Sequence, residues 1–187
     1  LAPIIGLLPI GADPDTGYFE FWHKETGDRP ARDANGKLVV TGRTGMVFVL
    51  LPGGTYTMGA VTDPASPDYD ADADARYEHR REVRIEPFLI SKFEMTQGQW
   101  RRVTGANPSK TDTGPTHPVE YIGWKASAGI LGGLRLDHVT DEQWEYAARA
   151  GTTSVWSTGN DRESLEGYAN LPDAAARVKH TFLERDE

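Results

Sequence analysis

The sequence predicts an irregular α+β domain, and three observations predict it. Twenty Gly and 12 Pro among 187 residues demand many turns and argue against a helical bundle. Short runs of strand length, apolar or alternating, recur through the first half of the chain. Only two segments combine a helix-start signal with a helix-stop signal. A content of 38% apolar residues, with 5 Trp, 7 Tyr and 6 Phe, is enough for a folded core.

Residues 1–36 are turn-rich. Asp13-Pro14-Asp15-Thr16-Gly17 and Asp33-Ala34-Asn35-Gly36 are turn signals, because Asp bonds its own backbone and Gly tolerates positive φ. Between them Tyr18-Phe19-Glu20-Phe21-Trp22 reads as a short strand, and Leu38-Val39-Val40 as another. Met46 to Leu51 is continuously apolar, which predicts a strand buried on both faces. Pro52-Gly53-Gly54 then turns the chain and Thr55 to Met58 returns it, a predicted hairpin.

Residues 62–78 form an acidic loop without periodicity. Val83-Arg84-Ile85 alternates as a half-exposed strand does, and Phe88 to Met95 continues as a strand. Thr96-Gln97-Gly98-Gln99 is a capping box, so a helix is expected from Gln97 to Val103, stopped by Gly105. A second helix is expected from Asp141 to Ala150. Thr140 caps it, Gln143 completes its box, two acids sit in the first turn, and Gly151 stops it. Beyond Thr152 the chain reads as loop, with a helical turn at Ala174 to Val178.

Composition narrows the function. The net charge is −8 and no basic run exceeds two residues, as at Arg80-Arg81, which argues against a phosphate-neutralising nucleic-acid surface. No stretch reaches the ~20 apolar residues of a membrane span. Pro3, Gly6 and Pro9 break the apolar opening and no basic residue precedes it, so it does not read as a signal peptide. The expectation is a soluble chain, with a cytoplasmic setting slightly favoured. There is no cysteine, so thiol nucleophiles and thiolate metal sites are excluded within these residues. The start at Leu1 and the charged end Glu184 to Glu187 read as a piece of a longer protein.

Familiar catalytic and metal patterns fail. Asp68, Asp70, Asp72 and Asp74 invite a calcium-loop reading. Such a loop needs Gly at its sixth position and Glu at its twelfth. Counting from Asp70 these are Ala75 and Arg81, and from Asp68 they are Ala73 and His79, so a solvated acidic loop is the better reading. His23, His79, His117, His138 and His180 make no metal-ligand spacing. There is no Gly-x-Ser-x-Gly elbow and no Gly-x-x-x-x-Gly-Lys phosphate loop. Trp100, Trp124, Trp144 and Tyr146 could line a pocket, but their places on the apolar faces of the expected elements favour core packing.

Leu51-Pro52-Gly53-Gly54-Thr55-Tyr56-Thr57-Met58-Gly59 and the stretch Phe88 to Trp100 resemble, in order, the opening hairpin and the strand-to-helix motif of the sulfatase-modifying-factor, or formylglycine-generating enzyme, family. Gly105-Ala106-Asn107-Pro108-Ser109, His117-Pro118-Val119-Glu120 and Gly123-Trp124 follow in the family's order. Trp144-Glu145-Tyr146-Ala147-Ala148-Arg149-Ala150-Gly151-Thr152 is the most specific match, and Trp156 to Asn160 and Gly167 to Leu171 also fit. The resemblance covers residues 46–187 and leaves 1–45 as an N-terminal extension with short strands and turns. Ile10 to Gly17 looks like the lead-in of bacterial versions fused behind a serine/threonine kinase, although no kinase motif is present.

The resemblance implies an irregular α+β, C-type-lectin-like fold, truncated at its C-terminal end. It implies oxidation of a sulfatase cysteine to formylglycine by two cysteines that hold copper(I). Those cysteines belong to the later part of the domain, so this segment alone is not expected to be active. The alternative is a non-catalytic lectin-like binding or sensing module, with a protein or peptide ligand. By the same resemblance Asn170 would offer a side-chain oxygen to calcium, Leu171 its backbone carbonyl and Asp186 a carboxylate, in an incomplete site. The bland reading is that Asn170 caps a turn. His117 sits in a family motif where it packs structurally.

One stretch departs from the pattern. Leu134-Arg135-Leu136 lies two residues early relative to the family, within Lys125 to Thr140, as offsetting indels or compensating frameshifts would produce. Three glycines there weaken a helix by up to ~1 kcal/mol each relative to Ala, so a short or damaged helix is expected. Without the rest of its domain the chain is expected to be only marginally stable.

Overall fold

The structure, a computed structural model, describes residues 5–169 of the chain. These fall into two compact units. One comprises residues up to Thr55 together with Arg84–Trp144, and the other comprises Tyr56–Val83 with the residues from Glu145 onward.

The first unit is built on an antiparallel four-stranded sheet of β1 (Leu7–Ala12), β2 (Phe19–His23), β5 (Val47–Leu51) and β8 (Phe88–Ser91), in the order β1-β2-β5-β8. β5 lies inside the sheet, where its continuous apolar run belongs. Met46, Val47 and Phe48 are buried and Val49 to Leu51 half-buried. β1 was not expected. It sits at the sheet edge, where Pro9 costs no interior ladder bond, and its register slips between Pro9 and Gly11. Residues of the N-terminal stretch thus pair directly with β5, since Phe21 faces Phe48 and Trp22 faces Val47.

The turns follow their sequence signals. Asp13 Oδ1 accepts from the amides of Asp15 and Thr16 at 2.9 Å each, joining β1 to β2. Asp33 Oδ1 accepts from the amides of Asn35 and Lys37, closing the small hairpin of β3 (Ala31–Arg32) and β4 (Leu38–Val39).

The hairpin expected between residues 46–51 and 55–58 does not form. Both edges of β5 are already taken, by β2 and by β8, so β5 cannot also pair with the next strand. β6 (Gly54–Met58) pairs instead with β7 (Arg81–Ile85). Gly53 allows the divergence: its φ is 73°, and a Cβ there would lie 2.3 Å from the Ile85 carbonyl oxygen. β8 also ends sooner than expected, at Ser91 rather than Met95.

α1 (Gln97–Thr104) begins with the capping box that was read. Thr96 Oγ1 accepts from the Gln99 amide, and Gln99 Oε1 accepts from the Thr96 amide at 2.9 Å. Gly105 ends it in the left-handed region, φ 81°, with its amide on the Arg101 carbonyl. The start of α1 is buried: Gln97 is 1% exposed, and its Nε2 donates to the Thr111 carbonyl. Gly98 lets the helix press against the loops, because a Cβ there would lie 2.7 Å from the Gly42 oxygen. Trp100 packs inward, as expected.

The segment expected to carry a short or damaged helix carries α2 (Trp124–Gly133), ten residues long and running through all its glycines. It is a sparse helix, with no side-chain cap at its start and no buried residue. α3 (Asp141–Arg149) opens with the second box: Gln143 Oε1 accepts from the Thr140 amide, and Thr140 Oγ1 from the Gln143 amide.

In the second unit Glu145 and Arg149 pair one helical turn apart, at 2.7 Å. Both reach Gly59: Glu145 Oε1 accepts from its amide and Arg149 donates to its carbonyl, each at 2.8 Å. Tyr146 meets the ring of Tyr56 edge-on, centroids 5.5 Å apart. A 3-10 turn at Arg162–Leu165 was not anticipated.

Candidate functional site

Two features of the first unit are candidates. The first grows from charges buried beside the sheet. Glu20 is the central charge of an aromatic strand, and it is fully buried in β2. Lys92, just past β8, donates to both Glu20 and Asp13, and Arg32 donates to Glu20 at 2.6 Å. Partial burial works to lower the Lys92 pKa, but the hydrogen bonds to Asp13 and Glu20 outweigh it and leave it raised. The Lys92 hydrogen bond, followed by the Thr16 amide, holds Asp13 down to about 2. Lys92 is therefore a fixed cation and not a free amine available as base or nucleophile.

A cavity of about 420 Å³ opens beside this cluster. Tyr18 and Phe93 form aromatic walls, and the Lys37–Asp15 pair lies at its lining. Its acids and lysines pair with one another. Such a cavity can receive a small ligand, but it holds no group prepared for proton or acyl transfer.

The second feature is aromatic. Trp124 opens α2 and is 70% exposed, Tyr121 is 67% exposed and Trp144 is 64% exposed. Trp124 and Trp144 were expected in the core, and the structure corrects this. α2 buries none of its residues and α3 buries none of its own, so both tryptophans remain on the surface. Trp124 stacks on His138, centroids 5.6 Å apart and planes 22° apart. The Lys110 ammonium lies 4.0 Å from the Tyr121 ring centroid.

Ser127 Oγ is 3.0 Å from His138 Nε2, a spacing that resembles a nucleophile and its base. The hydroxyl proton, however, points to the Trp124 carbonyl at 2.9 Å. The imidazole therefore donates to Ser127 and does not activate it. This group fixes the indole of Trp124 as a flat, exposed platform, which suits binding better than covalent chemistry.

The other residues singled out in the sequence fall as follows. Asp68 accepts from Asn160 and Thr153 within the second unit, and these bonds, Asn160 first, lower its pKa. It staples a loop. No group of three His, Cys, Asp or Glu side chains able to hold a metal occurs among the described residues. His117 acts through its backbone, its carbonyl accepting from the Gln97 amide, while its side chain is exposed and not packed as expected. Asn170, Leu171 and Asp186, the residues that calcium would use, lie outside the described residues, as does the turn expected at Ala174 to Val178. No helix is long and apolar enough to cross a membrane among the described residues. Sequence reasoning missed Lys92, Glu20 and Arg32, although a single Glu amid Tyr18, Phe19, Phe21 and Trp22 was the available signal.

Comparisons with known proteins place this architecture. A family model described as a sulfatase-modifying factor enzyme 1-like domain matches residues 39–183. No curated protein matches the chain. Among solved structures, variable protein 1 of Treponema denticola is similar with a TM-score of 0.53 and 18% identity, over 71% of this chain and 63% of that one. PvdO from Pseudomonas aeruginosa is similar with a TM-score of 0.48 and 20% identity, over 73% of this chain and 56% of that one. The chain thus spans less than two thirds of the length of either. The match begins at residue 39, a few residues before the expected start at Met46. With its mixture of strands and helices this is the α+β, C-type-lectin-like fold of the formylglycine-generating enzyme type, and the chain belongs to the sulfatase-modifying-factor family.

Proposed function

We propose that this chain is the scaffold and recognition portion of a formylglycine-generating-enzyme-type domain, whose complete form oxidises a sulfatase cysteine to formylglycine. The family match over residues 39–183 carries this reading. The chain's own share is to bind and position, because it contains no cysteine. Copper(I) takes soft thiolate ligands, and the residues present do not fit it. No chemical step is assigned to them.

A second reading is a non-catalytic lectin-like binding or sensing module with a protein or peptide ligand. The exposed Trp124 platform, held by His138 and Ser127, favours it. Calcium belongs to either reading. Asn170, Leu171 and Asp186 offer an amide oxygen, a carbonyl and a carboxylate, the hard donors that ion takes.

One experiment separates the two readings. The full-length protein is incubated in air with copper(I) and a sulfatase peptide bearing the target cysteine, and the peptide is weighed by mass spectrometry. Conversion of the thiol to an aldehyde supports the oxidase. An unchanged peptide that nevertheless binds the protein supports the module.

A further inference from the structure

His23 ends β2 and has no exposed surface. Its Nε2 lies 3.2 Å from the carbonyl oxygen of Leu134, 111 residues later. A carbonyl can only accept, so Nε2 carries the hydrogen and Nδ1 presents a bare lone pair. That Nδ1 has no hydrogen-bond partner. A neutral ring tolerates the vacancy. In an imidazolium, Nδ1 would become a buried charged donor with no acceptor, which is costly.

The surroundings offer little relief. Glu25 follows β2 and Arg135 follows Leu134, and the two pair with each other at 3.5 Å. The Glu25 carboxylate favours a charged ring and the Arg135 guanidinium opposes it. β5 contributes the uncharged Phe48 ring, centroids 6.4 Å apart. Burial is the largest influence and moves the His23 pKa down from 6.5, outweighing the hydrogen bond to the Leu134 carbonyl, which favours the charged ring.

The hydrogen bond holds a weakly anchored element. α2 has no side-chain cap at its start, three glycines and no buried residue. Leu134, immediately after it, is 5% exposed and is its anchor. Arg135 follows at φ 58°, a backbone state that lasts only while its surroundings enforce it. The Leu134 and Leu136 amides close this turn on the Leu131 carbonyl.

We propose that His23 is a pH-sensitive latch on α2: a proton on its buried ring is accommodated only by opening the Leu134 turn to water, which releases α2 and the Trp124 platform it carries. The latch is fully closed above the unperturbed value of 6.5, because the open state gains no proton there. It weakens as pH falls below 6.5, where the open state binds a proton that the closed state refuses. The weakening levels off below the depressed pKa of the closed ring.

Hydrogen exchange on the full-length protein from about pH 7.5 to about pH 5.5 tests this. Protection factors of amides 127–136 fall about tenfold per pH unit below 6.5, while those of β5 hold. His23→Gln keeps an N–H for the Leu134 carbonyl but cannot titrate, and it abolishes the fall. His138→Gln, the control for the other histidine near α2, preserves it. Constant protection in α2, equal loss in β5, or a fall that persists in His23→Gln overturns the latch. If the variant does not fold, NMR titration of the native protein decides: a His23 pKa at or above 6.5 overturns the latch, and one below 6.5 supports it only if the Leu134 and Leu136 amides lose protection over the same pH range.

Discussion

The ammonium of Lys92 donates to the carboxylate of Glu20, 72 residues earlier, and so ties the end of β8 to the start of β2 across the intervening β5. Glu20 is fully buried, and removing one partner of such a pair strands the other charge. Lys92→Met therefore destabilises the protein by about 3 kcal/mol, with Arg32 still on Glu20 to limit the loss. Urea unfolding measures this, and a loss below about 1 kcal/mol would mean the pair behaves as a surface salt bridge.

Asp13 gives the acid side of the same cluster. Its folded pKa is lowered from 3.8 to about 2, so its contribution to stability is complete above 3.8 and is lost as pH falls toward 2. Asp13→Asn removes that part of the pH dependence. The check is the slope of stability against pH in this window, which becomes shallower in the variant than in the native protein.

Three of the five tryptophans separate by burial. Trp100 is 7% exposed, and Trp100→Ala costs about 3–5 kcal/mol. Trp124→Ala and Trp144→Ala, at 70% and 64% exposure, each stay within about 0.5–1 kcal/mol of native. Comparable losses at all three positions would return Trp124 and Trp144 to the core.

The buried capping box of α1 predicts a smaller effect. Thr96→Ala removes the acceptor for the Gln99 amide and costs about 1 kcal/mol. Gln99→Ala costs more, about 2 kcal/mol, because the Thr96 amide and the buried Thr44 carbonyl both lose their partner. Thermal melts of the two variants rank them.

Features set by neighbouring residues were legible in the sequence. Asp13 and Asp33 close their turns, Thr96 and Thr140 start their helices, and Gly105 stops α1, because each acts on a backbone group within a few residues. Partner choice between strands was less legible. Residues 46–51 and 55–58 look like a hairpin until β2 and β8 occupy both edges of β5. Burial of whole helix faces was not legible either. Trp124 and Trp144 have helical spacing in their favour, but α2 and α3 bury nothing that would place them inside. The Lys92 cluster joins residues 13, 20, 32 and 92, and no local pattern links them. Neither candidate feature was legible as a site; the family was legible as a resemblance, and the match over 39–183 bears the family out.

The proposed role of these 187 residues is to bind and position, and with no cysteine among them they supply no thiolate for an oxidation. Mass spectrometry of a cysteine-bearing sulfatase peptide, incubated in air with copper(I) and this chain alone, tests it most directly. The expected result is a peptide of unchanged mass. Conversion of its cysteine to formylglycine above the copper-only control would contradict the account.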